Sequence, residues 1–213
     1  MSMKPVVELI TAWADYESKN PAASVADFCS HYLLNSKGLP IGETPVEATI
    51  SDADAQLSGL INQLNAIHVI YAKAVLKEMP GIELEWFYFM KEIDRQKEAR
   101  KSDVVSAVFF EQSTGIDILN RIKKAGLIQE RNDPMDKRAR LVKLSPQGEK
   151  ILISLHQLLS KADHMLYQDL AGPNKKMLIN LLSDTEKKHN ALISENRHKQ
   201  LEELIAGYQQ EKK

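Results

Sequence analysis

Eight basic side chains fall between residues 121 and 143: Arg121, Lys123, Lys124, Arg131, Lys137, Arg138, Arg140 and Lys143. Only Glu130, Asp133 and Asp136 oppose them there. The whole chain has a net charge of −1, and residues 1–60 hold three basic and eight acidic groups. Just before the block stand two hydroxyls, Ser113 and Thr114, and one acid, Asp117. Hydroxyls and long cationic side chains are groups that contact phosphate oxygens. A local basic block on an acidic chain marks a phosphate-facing surface. A solvated helix face has the same composition, so the charge alone leaves both readings open.

Other chemistries lack their constellations. The six histidines form no close group, and Glu186 with His189 makes a single E-x-x-H where a bridged carboxylate metal site needs two. No Gly-rich phosphate loop, nucleophile elbow or zinc-protease motif is present, so no enzyme, metal or cofactor is expected. Cys29 is the one cysteine. With Phe28 and Tyr32 nearby and no basic neighbour, it reads as a buried, inert thiol rather than a peroxide sensor. A lone cysteine fits a reducing compartment, no apolar run is long enough for a membrane span, and the first residues lack a signal-peptide core. A cytoplasmic address with no membrane partner follows.

The elements that must position these groups are mostly helical. Apolar spacing predicts helices over 5–18 and through Leu34, then a linker over 35–50 rich in Gly and Pro. A long amphipathic helix is expected over 52–78, with Leu57, Leu60, Ile61, Leu64, Ile67 and Tyr71 on its stripe. Another follows over 83–97. It carries the run Trp86-Phe87-Tyr88-Phe89, of which one or two must face away from the core. Ser102 is the expected N-cap of a short helix to about Phe110, and Ser113 or Thr114 that of the next, which ends at Gly126. Two short strands, 127–131 and 139–144, flank the turn residues Asn132 to Asp136. Ser145-Pro146 opens a helix to about Leu170. After Gly172-Pro173, one final helix of about 35 residues is expected.

Short helix, turn, second helix, hairpin, helix is the order of a winged helix-turn-helix. In that arrangement the second helix points its N-terminal residues at base edges, and the wing's Lys137, Arg138 and Arg140 reach the backbone or a narrow minor groove. Here the chain resembles the MarR family of bacterial regulators. Ser113 to Ile128 looks like that family's recognition helix and Gly-Leu turn. Asp133-Pro-Met-Asp136-Lys-Arg138 is similar to its wing signature D-x-R-D-x-R, and Leu144-Ser-Pro-Gln-Gly148 to its L-T-x-x-G. The resemblance spans about 52–200.

It implies a mainly α fold with a two-stranded β wing and a helical dimerisation region, and a homodimer bound to double-stranded DNA at an inverted-repeat operator. The DNA-contacting residues would be Ser113, Thr114, Asp117, Arg121, Lys137, Arg138 and Arg140. A small amphipathic or phenolic effector is also implied, with a pocket near Tyr71, Trp86 and Met90. The expected division is an extension over 1–50, a first dimerisation helix over 51–80, the winged domain over 81–148 and dimerisation helices over 149–213. Three residues depart from the family pattern. Met135 replaces the wing-tip arginine, Asp117 stands where a basic or hydroxyl residue is common, and Gly115 replaces a β-branched core residue. The alternative is a winged-helix protein-interaction module without DNA binding.

Overall fold

A computed structural model describes residues 5–35, 50–136, 138–196 and 199–210. Two compact units are present, residues 1–57 and 58–213.

In the first unit, α1 (Pro5–Lys19) and α2 (Val25–Asn35) pack together. Pro5 suits the first helical position, where its missing N–H leaves nothing unsatisfied. Ser24 and Asp27 cap α2 reciprocally: the Ser24 amide donates to Asp27 Oδ2 at 2.8 Å, and the Asp27 amide to Ser24 Oγ at 3.2 Å. Phe28 is buried, with Trp13 edge-on at 5.0 Å and Tyr32 at 5.6 Å between ring centroids. Cys29 is exposed, contrary to the expectation of a buried thiol. Its aromatic neighbours Phe28 and Tyr32 meet each other in a tilted contact, and the thiol lies outside it.

In the second unit, the core gathers around α4 (Leu84–Gln96). The preceding α3 (Ile50–Leu76) contributes Ala72 and Leu76 from its C-terminal end. Trp86, Phe87 and Phe89 are buried, and Tyr88 is the member of the aromatic run left facing out. After α4 come β1 (Ala99–Arg100), α5 (Lys101–Ala107), α6 (Gln112–Lys124), β2 (Ile128–Asn132), β3 (Arg140–Leu144) and α7 (Pro146–Tyr167). α5, α6, α7 and β3 all pack on α4. The sheet is antiparallel with order β1-β3-β2, so the wing hairpin has a third, two-residue strand, too short for periodicity to reveal. That strand moves the start of α5. Its cap position is Arg100, and Ser102 lies inside the helix with its hydroxyl donating to Asp103.

Around α7 the motif residues act as expected. Gly126 has φ +76°, and Ser145 Oγ donates to Gly126 O at 2.7 Å while accepting from the Gly148 amide at 3.0 Å. Gly148 is required there, because a Cβ would lie 2.0 Å from Leu127 O. The expected single last helix is two, α8 (Gly172–Asn196) and α9 (Leu201–Gln210). Lys199 N turns back to Asn196 O, Glu202 and Glu203 favour a new helix start, and Tyr208 stacks on His189 at 6.0 Å. No helix among the described residues is long and apolar enough to cross a membrane.

Candidate nucleic-acid interface

α5 and α6 approach closely because residue 115 is glycine. A Cβ on Gly115 would lie 2.4 Å from Val105 Cγ1. The departure at 115 is therefore matched by the bulk of Val105 across the turn. Gly115, Ile118, Leu119 and Ile122 form the buried stripe of α6. The opposite face is exposed and carries Ser113, Asp117, Asn120, Arg121 and Lys124 along successive turns. Thr114, Asp117, Asn120, Arg121 and Lys124 line a shallow depression on it.

The N-terminus of α6 differs from expectation. Its cap is Glu111, whose carboxylate accepts from the amides of Ser113 at 2.7 Å and Thr114 at 3.3 Å. Ser113 Oγ donates to the same oxygen. Bonds from the Ser113 hydroxyl and these amides hold Glu111 below the usual carboxylate range. Ser113 and Thr114 are thus not the cap, and the Ser113 hydroxyl expected to meet phosphate is held by a carboxylate. A carboxylate accepts two amides with better charge complement than a hydroxyl, which explains the shift of two to three residues.

Several cations of the basic block are already paired. Arg121 meets Glu83 at the start of α4. Arg131 Nε donates to Glu98 at 2.8 Å. Glu130 collects Lys101 at 2.7 Å, Lys123 at 3.2 Å and Arg140 at 3.8 Å. Burial pushes the Glu130 carboxyl up, but hydrogen bonds from Lys101 and Lys123 outweigh it and hold the group below its ordinary value. Lys124, Arg138 and Lys143 have no ion pair among the described residues. Lys137 lies outside the described residues.

The wing tip is organised by two aspartates. Asp133, almost wholly buried, accepts from the Met135 amide at 2.8 Å and from Arg100 Nε at 2.7 Å. Asp136 accepts from the Arg138 amide at 3.0 Å. The Arg138 side chain is exposed, and neither Asp133 nor Asp136 takes it as an ion-pair partner. Both carboxylates shape the turn, and the guanidinium stays outside.

Of the expected effector residues, Trp86 and Met90 belong to the same buried core. Met90 is completely buried among the described residues. The apolar stripe of α4 that carries Ile93 and Phe89 also includes it. Trp86 is buried with its indole N–H unpartnered among the described residues, and Tyr71 is half-buried. A cavity beside α4 is lined instead by Tyr88, Lys91, Glu92, Arg95, Val108 and His156. Burial, then the nearby Asp163 and Glu85 carboxylates, push the Tyr88 hydroxyl up.

Sequence reasoning missed Glu83, Glu98, Arg100, Lys101 and Glu111. Most of their partners lie 19 to 38 positions away, beyond any local pattern. Only Glu111 gave a local signal, as an acid just before a helix of Ser and Thr.

Comparison with known proteins places this geometry. Residues 83–148 match the family described as winged helix DNA-binding domain. The transcriptional regulator HosA of Escherichia coli O111:H- is 26% identical over 105 residues, covering 49% of this chain and 78% of that protein. A cysteine-to-serine variant of MarR from Escherichia coli, solved with operator DNA, superposes with a TM-score of 0.57 at 21% identity, covering 65% of this chain and 99% of that one. BpsR of Bordetella bronchiseptica, whose structure concerns regulation of DNA binding by 6-hydroxynicotinic acid, gives a TM-score of 0.57 at 20% identity, covering 65% and 96%.

Proposed function

We infer that this chain, a MarR-type winged-helix protein, is a sequence-specific DNA-binding transcriptional regulator. The observation that carries the reading is α6: one face locked into the core, the other wholly polar and exposed, and a cationic wing on the following hairpin. In this reading α6 enters the major groove with Asp117, Asn120 and Arg121 toward base edges, and the wing holds the backbone through Lys137, Arg138 and Arg140. Arg121 and Arg140 then exchange Glu83 and Glu130 for phosphate or base. Thr114 stands at the edge of the surface, and Ser113 supports the cap.

The active species is a homodimer on an inverted repeat. Leu60, Ile61, Leu64 and Ile70 of α3 and Leu178, Ile179, Leu181 and Leu182 of α8 are all exposed. Such stripes favour a symmetric partner. The working division is 1–50, 51–80, 81–148 and 149–213, and the protein acts in the cytoplasm without catalysis. Control by a small amphipathic or phenolic effector is part of the proposal, with BpsR as the ligand-regulated precedent. The half-buried Tyr71 and the orphaned Trp86 N–H support a site reached once the helices part.

A second reading, a protein-interaction module, is favoured by one observation: acids already neutralise Arg121, Lys123, Arg131 and Arg140. Selection of duplexes from a random-sequence pool decides between them. Enrichment of an inverted repeat supports the regulator. No enrichment at low salt leaves the interaction module.

A further inference from the structure

Met135 is the most exposed large apolar side chain among the described residues, at 89%. It stands at the tip of the wing beside Pro134, which is also exposed. Its backbone is nonetheless pinned. The Met135 amide donates to Asp133 Oδ1, and the other oxygen of that buried carboxylate is clamped by Arg100. The Arg138 amide is tied to Asp136 on the far side of the turn. Pro134 fixes one further backbone angle. An apolar pair is therefore held out into water by a preorganised base, with the unpaired guanidinium of Arg138 a few residues on.

We propose that Pro134 and Met135 form an apolar wedge that enters the DNA minor groove and opens a base step, making Met135 a specificity-determining residue. The proposal rests on the regulator reading and adds what the wing recognises. A cation at this position would be drawn to the strong negative potential of a narrow A-tract groove. An apolar tip gains nothing from that potential. It gains by leaving water, and it does so most cheaply where bases unstack easily, at TA and CA/TG steps. Methionine suits the task because its unbranched, polarisable side chain adapts to an irregular gap. Arg138 holds the adjacent phosphate and so supplies affinity without the sequence preference.

The test uses the full chain and duplexes recovered by wild-type protein from a random-sequence pool. Binding and DNA bending, read by end-to-end energy transfer, are compared for wild type, Met135→Ala, Met135→Arg and Arg138→Ala across salt concentrations. The expected wild-type pool carries a TA or CA/TG step at each flank. Met135→Ala binds it about tenfold more weakly, as loss of one apolar contact dictates, with less bending and an unchanged salt slope. Met135→Arg shifts the selected flanks toward A-tracts. Because the side chain is exposed, the thermal midpoints of both variants stay at the wild-type value. If Met135→Ala keeps affinity and bend while Arg138→Ala lowers the salt slope, the wedge is wrong and the regulator reading stands. If no duplex is enriched, both are wrong.

Discussion

Lys101 Nζ lies 2.7 Å from the Glu130 carboxylate, and each side chain is only 12% exposed. Lys101 opens α5 and Glu130 sits on β2, so this pair joins the helix-turn-helix to the wing. Lys101 also donates to Asn120 of α6 at 2.9 Å. Replacing the carboxylate by an amide leaves a nearly buried ammonium with only neutral acceptors, Asn120 Oδ1 and the new amide oxygen. Glu130→Gln should therefore lower stability by about 2–3 kcal/mol, read as a shift of the urea midpoint. The same change releases Lys123 and Arg140, so binding to random DNA should tighten. An unmoved midpoint would show that the pair is not a brace.

Gly115→Ala places a methyl against the stiff, β-branched Val105. We expect a loss of about 1–3 kcal/mol despite alanine's better helix propensity. Val105→Ala opens the space, so the double variant should be more stable than the two separate losses add up to. Strict additivity in that cycle would contradict the close approach of the two helices.

Arg138 and Asp117 test the surface by charge. Arg138→Ala should weaken binding alike on all sequences and reduce the salt slope by about 1. Asp117→Arg replaces a carboxylate on the exposed face of α6 by a cation, and if that face meets DNA as proposed, binding to random DNA should strengthen. Equal affinity and slope for wild type and both variants would move the DNA surface elsewhere.

Acid should loosen the wing. Three influences act on the Asp133 carboxyl: the Met135 amide lowers it most, burial opposes, and Arg100 lowers it further. The result is a folded value below the ordinary one. A depressed carboxyl contributes its full stability above the unfolded value of about 3.9, and that share is lost as pH falls through the folded value. Amide exchange at residues 133–139 should thus accelerate below about pH 4, and less so in Asp133→Asn, which is already loosened at neutral pH. Pairs of rates that do not depend on pH, after correction for intrinsic exchange, would exclude the mechanism.

Sedimentation equilibrium at micromolar concentration should return twice the 24.1 kDa chain mass. Leu60→Glu and Leu181→Glu place charges on the exposed stripes and should shift the equilibrium toward single chains. A wild-type species of one chain mass would remove the dimer.

Much of the fold was legible where one residue's role depends on its neighbours within a turn or two. Ser145 and Gly148 announce a helix start and Gly126 a helix end, because capping is local. The strand Ala99–Arg100 was invisible, since two residues have no period and exist as a strand only through β3. The site was half legible for the same reason. The cationic block is countable in sequence, but which cations are free depends on acids brought from Glu83, Glu98 and Glu130 by packing. Cys29 misled because aromatic neighbours in sequence do not say which side of a two-helix pair they cover.

Arg100 ends β1, occupies the cap position of α5 and holds Asp133 at the base of the wing tip. Its backbone thus belongs to the helix start and its side chain to the wing tip. The link couples the position of the wing tip to the start of α5, so that in the proposed DNA-binding regulator it would set the reach of each chain along the duplex. In the proposed homodimer, adaptation to operators with different half-site spacing would then come from the helices between the subunits, leaving each reading head unchanged.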